Sequence, residues 1–237
     1  MRMQWHCFQK HEEGMDEIRI FTTSDGSHSL LNTQLNETYH SIHGAVQESN
    51  HVFILHGLNH WLERNKKKEI KILEIGFGTG LNAFITLLHS IQSDIHVYYE
   101  SWEAHPLEIN IVKQLNYPIV LGSSQLFSGI HEASWEEPIA IIPEFTLHKR
   151  KGDILIDPLR ESLLFDLIYY DAFAPAKQPE MWTLEVLKKV TDSLAQAGTW
   201  ITYCAKGQVK RDLKTLGLTV ETLPGPPGKK EMIRALR

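Results

Sequence analysis

The stretch Ile72-Leu-Glu-Ile-Gly-Phe-Gly-Thr-Gly-Leu-Asn82 decides the predicted fold, because a strand runs through three glycines directly into a helix. An apolar strand is predicted at 71–75 and an apolar helix at 81–90. The glycines allow the backbone to pass close beneath a ligand, and the first turn of the helix offers unpaired N–H groups. Leu81 stands where a dinucleotide fingerprint requires its third glycine, so this spacing disfavours a dinucleotide as the ligand.

Strands and helices alternate along the rest of the chain, which predicts a parallel sheet covered by helices on both faces. Residues 223–229, between the last two strands, are too few for a crossover helix, so these strands are expected to pair antiparallel. The predicted class is α/β, with a mostly parallel seven-stranded sheet that ends in an antiparallel hairpin. The other predicted strands lie at 95–99, 165–170, 199–204, 218–223 and 231–236, with candidate strands at 139–142 and 145–148, and the other helices at 106–115, 180–195 and 209–216.

An N-terminal extension precedes this core. A strand at 17–23, the turn Ser24-Asp-Gly-Ser27 and a strand at 29–32 predict a hairpin, because Asp-Gly tolerates positive φ. Helical sequence with one apolar side follows at 41–65. We therefore predict that residues 1–65 form a hairpin and helical extension packed on one compact domain, residues 66–237.

The composition is that of an ordinary globular protein, with 42% hydrophobic and 22% charged residues in a chain of 237, which excludes disordered and fibrous classes. Cys7 and Cys204 are the two cysteines, so a disulfide framework and a multi-cysteine metal site are excluded. The first residues lack the apolar core of a signal peptide, and no apolar run approaches the ~18 residues of a membrane span. We expect a cytoplasmic protein without a membrane partner.

Charge is unevenly distributed along the chain. The formal net charge is −5, which argues against a protein that coats nucleic acid without selectivity. Between Lys206 and Arg237 there are eight basic and three acidic residues, so this segment carries +5 and residues 1–205 carry −10. Such a segment forms either a local phosphate-binding patch or a solvated face, and charge alone leaves both open.

Acidic residues stand beside the glycines and after the next strand. Glu74 would repel a phosphate, but it suits the cationic amino-acid group of a ligand, either directly or through water. Glu103 is the preferred candidate to accept the ribose hydroxyls of an adenosine, with Glu100 as the alternative. Surface acids at a helix start are the competing interpretation of both residues.

Glu74 with Gly76, Gly78 and Gly80 resembles the first motif of the class I S-adenosylmethionine-dependent methyltransferases, which have a Rossmann-like fold. Gly152 and Asp153 resemble the position at which these enzymes hold the adenine amino group. Helix capping is a compatible role for Asp153.

The most unusual loop is Asp171-Ala-Phe-Ala-Pro-Ala-Lys-Gln-Pro-Glu-Met-Trp182, which follows a predicted strand. In an open α/β sheet, Asp171 would face the ligand beyond the carboxyl ends of the strands. The loop resembles the Asp-Pro-Pro-Tyr loop of amino-group methyltransferases, in which the acid binds the nucleophilic amine and the aromatic ring stacks on its base. An alkylammonium has a pKa near ~10 and must lose a proton before it attacks, so Asp171 is the predicted catalytic residue, as base or as orienting group. The alternative is a turn cap at Asp171 with Phe173 in the core.

Several further motifs make the resemblance specific. The chain is similar to the MnmC/MnmD-type methyltransferases, which act with S-adenosylmethionine on 5-aminomethyl-2-thiouridine at the tRNA wobble position. The motifs that carry this resemblance are Thr23-x-Asp-Gly-Ser-x-Ser-Leu30, Asn36-Glu-Thr-Tyr-His-Ser41, Gly44-Ala-x-x-Glu-Ser49, the glycine stretch to Asn82, the Asp171–Trp182 loop, Tyr203-Cys-Ala-Lys-Gly207 and Gly225-Pro-Pro-Gly-Lys-Lys-Glu-Met232.

The resemblance implies methyl transfer to the side-chain amine, giving 5-methylaminomethyl-2-thiouridine in the anticodon loop. It also implies a stand-alone methyltransferase, since the chain stops at Arg237, and a separate enzyme that supplies the aminomethyl precursor. The residues that it assigns to the cofactor or the reacting centre are Tyr39, His40, Ser41, Gly76, Gly78, Glu103, Asp153 and Asp171. Between Asn116 and Lys151 no motif of the family is recognised.

A tRNA substrate requires a basic face beside the pocket and rings for an unstacked base. Phe173 and Trp182 are the candidates to stack, with a core position as the alternative for Trp182. The candidate phosphate ligands are Lys177, Lys206, Lys210, Arg211, Lys229 and Lys230. Charge reversal at Lys229 and Lys230 is expected to weaken tRNA binding without changing cofactor affinity. His56 and His60 are four residues apart, but no zinc-enzyme pattern accompanies them, so no metal is expected.

Three other functions remain as alternatives. The overall negative charge favours a small-molecule amine N-methyltransferase of the same fold. A nicotinamide-dependent oxidoreductase is disfavoured by the missing third glycine. A binding protein without turnover is disfavoured by the intact loop at Asp171.

Overall fold

The computed structural model describes residues 18–160 and 163–237. Cys7 and the predicted first strand residue Glu17 lie outside these ranges. The described N-terminal part opens with a small antiparallel sheet, formed by β1 (Ile18–Thr22), β2 (His28–Asn32) and β3 (Glu37–Thr38). The predicted hairpin is confirmed, and its turn is closed by the Asp25 carboxylate, which accepts the Ser27 N–H at 2.9 Å.

One long helix follows, and it matches the predicted helical stretch. It consists of α1 (Ala45–Ser49), a π-helical segment (Asn50–Asn59) and α2 (His60–Asn65). Phe53 of this helix packs on Tyr169 of the central sheet, with ring centroids 4.8 Å apart. The N-terminal extension therefore shares a hydrophobic core with the sheet.

The central sheet is predominantly parallel and has eight strands among the described residues. From edge to edge the order is β10-β11-β9-β8-β4-β5-β7-β6, in which β11 is antiparallel to both of its neighbours and β6 is antiparallel to β7. The C-terminal antiparallel hairpin is thereby confirmed. The strands are β4 (Glu69–Ile75), β5 (His96–Glu103), β6 (Pro138–Ile142), β7 (Phe145–Lys151), β8 (Phe165–Tyr170), β9 (Leu194–Thr202), β10 (Thr219–Pro224) and β11 (Glu231–Leu236).

Helices cover both faces of this sheet, as the strand and helix alternation predicts. Along β4, Ile72 belongs to one hydrophobic cluster, and the adjacent Leu73 belongs to the cluster on the opposite face, as the two-residue period of a strand requires. The helices are α3 (Leu81–Ser93), α4 (Ile109–Val112), α5 (Tyr117–Leu121), α6 (Ser124–Glu132), a 3₁₀ turn (Pro179–Trp182), α7 (Leu184–Asp192) and α8 (Gly207–Thr215).

Two differences from the sequence prediction have local causes. The sheet has eight strands instead of seven because both candidate strands, 139–142 and 145–148, form; the eighth is β6, a short edge strand with a register irregularity between Ala140 and Ile142. The helix predicted at 180–195 begins instead at Leu184, because Thr183 adopts an extended conformation and its hydroxyl caps the helix by accepting the Val186 N–H at 3.4 Å.

Within residues 18–160 and 163–237, none of the helices combines the length and the apolar character that crossing a bilayer requires.

Candidate active site

A cleft of about 2030 Å³ opens where the central parallel strands end. Its walls include the residues that follow β4, β5 and β8, together with the segment 37–43 of the N-terminal extension. Typical small-molecule pockets have volumes of ~300–1,000 Å³. The cleft is therefore large enough for a nucleoside cofactor and a second, base-sized group.

Gly76 brings the ends of β4 and β8 together. Its φ is +95°, and a Cβ at this position would lie 2.8 Å from the backbone oxygen of Asp171. The Gly76 N–H donates to the Trp102 carbonyl at 2.9 Å, and the Asp171 N–H donates to the Ile75 carbonyl at 3.0 Å. A side chain on residue 76 would push Asp171 away from the glycine loop.

Glu103 lies beside the glycine loop and lines the cleft. One carboxylate oxygen accepts the Gly78 N–H at 2.9 Å, and the other accepts the His105 N–H at 2.8 Å. Glu100, the alternative from the sequence, is buried, accepts from Trp102 Nε1 at 3.0 Å and lies 3.3 Å from His148 Nδ1. The two acids therefore have separate positions, with Glu103 in the cleft and Glu100 in the core.

Gly152 and Asp153 also line the cleft. The Gly152 N–H donates to the Glu103 carbonyl at 3.1 Å, which ties the end of β7 to the end of β5. The Asp153 carboxylate accepts the Leu155 N–H at 2.9 Å. Asp153 thus closes a turn, where the sequence predicts a helix cap, and it also lines the cleft.

The sequence predicts Glu74 and Gly80 as cofactor-binding residues, but neither of them lines the cleft. Glu74 is completely buried within the sheet and accepts the Ser101 hydroxyl at 2.6 Å, and burial raises its pKa to about 8. At Gly80 the His131 ring fills the space of a Cβ, at 2.8 Å. Glu74 thus joins β4 to β5 through Ser101, and Gly80 allows the His131 ring to pack at the start of α3.

Asp171 faces the cleft at the end of β8, as predicted. One of its carboxylate oxygens accepts the Asn82 Nδ2–H at 2.8 Å, and the Asn82 side-chain oxygen in turn accepts the Ser49 hydroxyl. Burial, reinforced by the negative charge of Glu48, raises the Asp171 pKa to about 7. The carboxylate is thus fixed in orientation and gains or loses a proton near neutral pH.

Tyr39, His40 and Ser41 line the opposite wall of the cleft. The Tyr39 ring makes an edge contact with Phe173, with centroids 5.1 Å apart. His40 Nε2 is hydrogen-bonded to Thr79 Oγ1 at 2.8 Å, and burial lowers the His40 pKa to about 4, so the ring is neutral at pH 7. These contacts fix the N-terminal extension against the glycine loop.

Three residues without a role from the sequence also line the cleft: Glu48, Asn82 and Tyr203. Glu48 and Asn82 are buried. All three stand in motifs that carry the family resemblance, but their contacts join segments far apart in the chain. A sequence signal exists for two of them: Glu48 is an acid in an amphipathic helix, and Asn82 is a polar residue in the first turn of an apolar helix.

Several candidate RNA ligands lie elsewhere or have partners. Trp182 is buried in the core and donates from Nε1 to the Phe173 carbonyl at 2.8 Å, so it supports Phe173 and is not a stacking ring. Lys177 Nζ donates to the Leu35 and Asn36 carbonyls, at 3.0 Å each. Lys210 pairs with Glu231 at 2.9 Å.

Of the other basic candidates, Lys229 lines the cleft, where it pairs with Glu48. Arg211 is exposed and donates to Gln208 at 2.7 Å. Lys206 and Lys230 are exposed as well. Among the candidate phosphate ligands, the exposed ones are therefore Lys206, Arg211 and Lys230.

In the described part of the chain, no group of three or more His, Cys, Asp or Glu side chains is arranged to hold a metal ion. His56 lies against His51, with ring centroids 4.7 Å apart.

Comparisons with known proteins find relatives over most of this chain. Residues 145–237 match the family model described as S-adenosyl-L-methionine-dependent methyltransferase. The chain is 28% identical over 227 residues to the tRNA 5-methylaminomethyl-2-thiouridine biosynthesis bifunctional protein MnmC of Idiomarina loihiensis, which covers 86% of this chain and 36% of the relative. It is 30% identical over 214 residues to the protein of the same name from Cupriavidus metallidurans, with coverages of 83% and 30%. The chain thus spans about a third of the length of the curated relatives it matches.

A solved structure has the same architecture. The structure of MNMC2 from Aquifex aeolicus superposes with a TM-score of 0.76 at 24% identity, covering 94% of this chain and 71% of that one. This similarity confirms the predicted class I methyltransferase fold. The sequence relatives confirm the predicted resemblance, and the family match over residues 145–237 supports S-adenosylmethionine as the predicted cofactor.

Proposed function

We propose that this chain transfers a methyl group from S-adenosylmethionine to the amine of 5-aminomethyl-2-thiouridine at the wobble position of tRNA. The observation that carries the proposal is the position of Asp171, which faces the cleft beside the glycine loop and is held there by Asn82. The similarity to MnmC proteins over 86% of the chain supports the choice of substrate.

The cleft suits the proposed cofactor because its backbone leaves room where side chains would otherwise project. Gly76 and Gly78 form the floor, and a Cβ on Gly78 would approach the Tyr39 ring to 3.2 Å. We assign the ribose hydroxyls to Glu103, whose oxygens keep free lone pairs while they accept two backbone N–H groups, and the adenine side to Gly152 and Asp153. Tyr39 and Ser41 close the pocket opposite the loop.

Asp171 is the proposed catalytic residue. When bound, S-adenosylmethionine supplies a methyl group on a sulfonium, so transfer to the amine forms an N–C bond as the S–C bond breaks. The ionised Asp171 carboxylate accepts a hydrogen bond from the acceptor nitrogen, which orients its lone pair. It also receives the proton that the nitrogen must lose, and its raised pKa suits that task near neutral pH.

Phe173 is the proposed stacking surface for the uracil ring. Phe173 lines the cleft, its ring makes an edge contact with Tyr39, and its carbonyl accepts a hydrogen bond from Trp182 Nε1. Recognition of an RNA loop requires an unstacked base, and an aromatic ring beside Asp171 binds such a base without protein side chains in the way.

Substitution of Glu103 by alanine is expected to weaken S-adenosylmethionine binding about 10–100-fold, because hydrogen bonds to a charged group are each worth roughly 1.5–3 kcal/mol. Isothermal titration calorimetry measures this affinity directly. The matched control is Glu108→Ala, which removes an exposed carboxylate from the same wall of the cleft. Equal affinities in the two variants would contradict the ribose assignment.

The tRNA backbone is assigned to the exposed groups Lys206, Arg211 and Lys230. We expect the double charge reversal Lys206→Glu, Lys230→Glu to weaken tRNA binding about tenfold or more at low salt, and to flatten the dependence of affinity on salt concentration. Cofactor affinity is expected to stay unchanged. This choice replaces Lys229, which is engaged with Glu48 inside the cleft. Fluorescence anisotropy with labelled tRNA measures the effect, and an unaltered salt slope would discard the assignment.

The experiment that tests the proposed activity supplies labelled S-adenosylmethionine with bulk tRNA that carries the aminomethyl precursor. Label is expected in 5-methylaminomethyl-2-thiouridine after digestion to nucleosides. tRNA that lacks the precursor is the control and is expected to remain unlabelled. Label in small amines instead of tRNA would establish the small-molecule methyltransferase, which the net charge of −5 favours.

Three further assignments follow from this activity. The precursor nucleoside requires a separate enzyme that installs the aminomethyl group before this chain acts. The reaction takes place in the cytoplasm, where tRNA and S-adenosylmethionine are both present. Residues 18–65 act as an extension of the methyltransferase domain at 66–237, because they supply one wall of the cleft.

A further inference from the structure

The cleft holds a second carboxylate, Glu48, whose partner is a lysine from the other end of the chain. Glu48 lies at the end of α1, and its side chain is only 7% exposed. One carboxylate oxygen accepts the Ser41 N–H at 2.7 Å, and the other accepts from Lys229 Nζ at 2.6 Å. An ionised carboxylate in a buried place is costly unless it is paired and hydrogen-bonded, and Lys229 and the Ser41 N–H provide these partners to Glu48.

The cation binds to more than the carboxylate. Lys229 Nζ lies 3.7 Å from the centroid of the Tyr203 ring, a cation–π distance. Tyr203 is itself fixed by a hydrogen bond from its hydroxyl to the Ala172 carbonyl at 2.9 Å. The Lys229 ammonium is therefore held by one carboxylate oxygen and one aromatic face, two groups that bind alkylammonium ions in general.

This pocket adjoins the reacting centre. Ala172, which accepts from Tyr203, follows Asp171 directly. Ser49, which follows Glu48, donates to Asn82, and Asn82 donates to Asp171. Glu48, Tyr203, Lys229 and Asp171 all line the same cleft.

We propose that Glu48 and Tyr203 bind the ammonium of the acceptor amine, and that the Lys229 ammonium occupies their site until the substrate displaces it. The inference rests on the proposed function, because it concerns the primary amine that this function methylates. Lys229 and an aminomethyl group are both primary alkylammonium ions, so the exchange leaves the charge of the buried site constant. The Lys229 side chain is 32% exposed and sits on the loop between β10 and β11, which leaves it free to move toward solvent. The site then selects primary amines and passes them to the neighbouring Asp171.

The first test uses ethylammonium, which carries the amine without phosphate or base. Lys229→Met removes the internal competitor. If Lys229 fills the site about nine-tenths of the time in the wild type, this variant is expected to bind ethylammonium about tenfold more tightly. The double variant Glu48→Gln, Lys229→Met is expected to lose saturable binding. The adjacent exposed lysine provides the matched control, since Lys230→Met is expected to bind as the wild type does. NMR titration of the labelled protein measures all four affinities, and unchanged or weaker binding by Lys229→Met would overturn the proposal.

The second test separates recognition from structure. Glu48→Gln is expected to raise KM for aminomethylated tRNA about tenfold while the Kd for S-adenosylmethionine stays constant. Glu180→Gln, which removes an exposed carboxylate from the cleft, is the control. A purely structural ion pair predicts instead that Glu48→Gln and Lys229→Met lower thermal stability alike and leave ethylammonium binding unchanged. If the wild type methylates no tRNA, the proposed function fails, whereas the ethylammonium titrations still decide the fate of this site.

Discussion

Asp171→Asn is expected to lower kcat for methyl transfer by roughly 10²–10⁴-fold, the usual contribution of a positioned acid or base. The amide keeps the size of the carboxylate and retains an oxygen for the Asn82 Nδ2–H. It cannot accept the proton that leaves the nitrogen, nor balance the positive charge that develops there. S-adenosylmethionine affinity is expected to change little, since the glycine loop and Glu103 are untouched. Single-turnover assays with labelled cofactor measure the rate, and calorimetry measures the affinity.

The pH profile provides the diagnostic for this role. Burial, followed by the charge of Glu48, raises the Asp171 pKa to about 7. The active form is the ionised carboxylate, so kcat/KM of the wild type is expected to rise with pH through about 7 and to lose this acid limb in Asp171→Asn. Asp192→Asn, at an exposed ion pair with Lys188, is the control and should keep both rate and profile. If Asp171→Asn lowered kcat by less than threefold, Asp171 would not be a catalytic residue.

The positions of Gly76, Glu103 and Asp171 could be predicted because each depends on local sequence. A strand that ends in glycines places its helix at the carboxyl edge of a parallel sheet, and the residues that end the neighbouring strands must meet there. The C-terminal hairpin is equally local, since the chain between its strands is too short for any crossover. These features needed no knowledge of distant contacts.

Other assignments depended on contacts that no local pattern encodes. Lys177 and Trp182 stand in the loop after β8, where substrate ligands are expected. Lys177 instead donates to carbonyls of the N-terminal extension, and Trp182 donates to the Phe173 carbonyl within its own loop. Glu74 precedes the glycines by two residues, but it is completely buried and its carboxylate accepts the Ser101 hydroxyl of the neighbouring strand. Glu48 and Lys229 are 181 residues apart, so only the folded chain makes them a pair.

Gly76→Ala is expected to weaken S-adenosylmethionine binding at least 100-fold, because this glycine satisfies two requirements at once. Its φ of +95° is unfavourable for any residue with a Cβ. The added carbon would also lie 2.8 Å from the Asp171 backbone oxygen, and neither backbone can retreat without breaking the bond from Asp171 N–H to the Ile75 carbonyl. Gly217→Ala isolates the first requirement, since its φ is +86° and no atom lies within 4 Å of the new Cβ. That control is expected to lose about 1–2 kcal/mol of folding free energy with unchanged cofactor affinity. Calorimetry measures the cofactor affinity and thermal melting the stability of both variants, which separates backbone strain from steric conflict. If Gly76→Ala and Gly217→Ala bound the cofactor with similar affinity, the close approach of β4 and β8 would not shape the cofactor site.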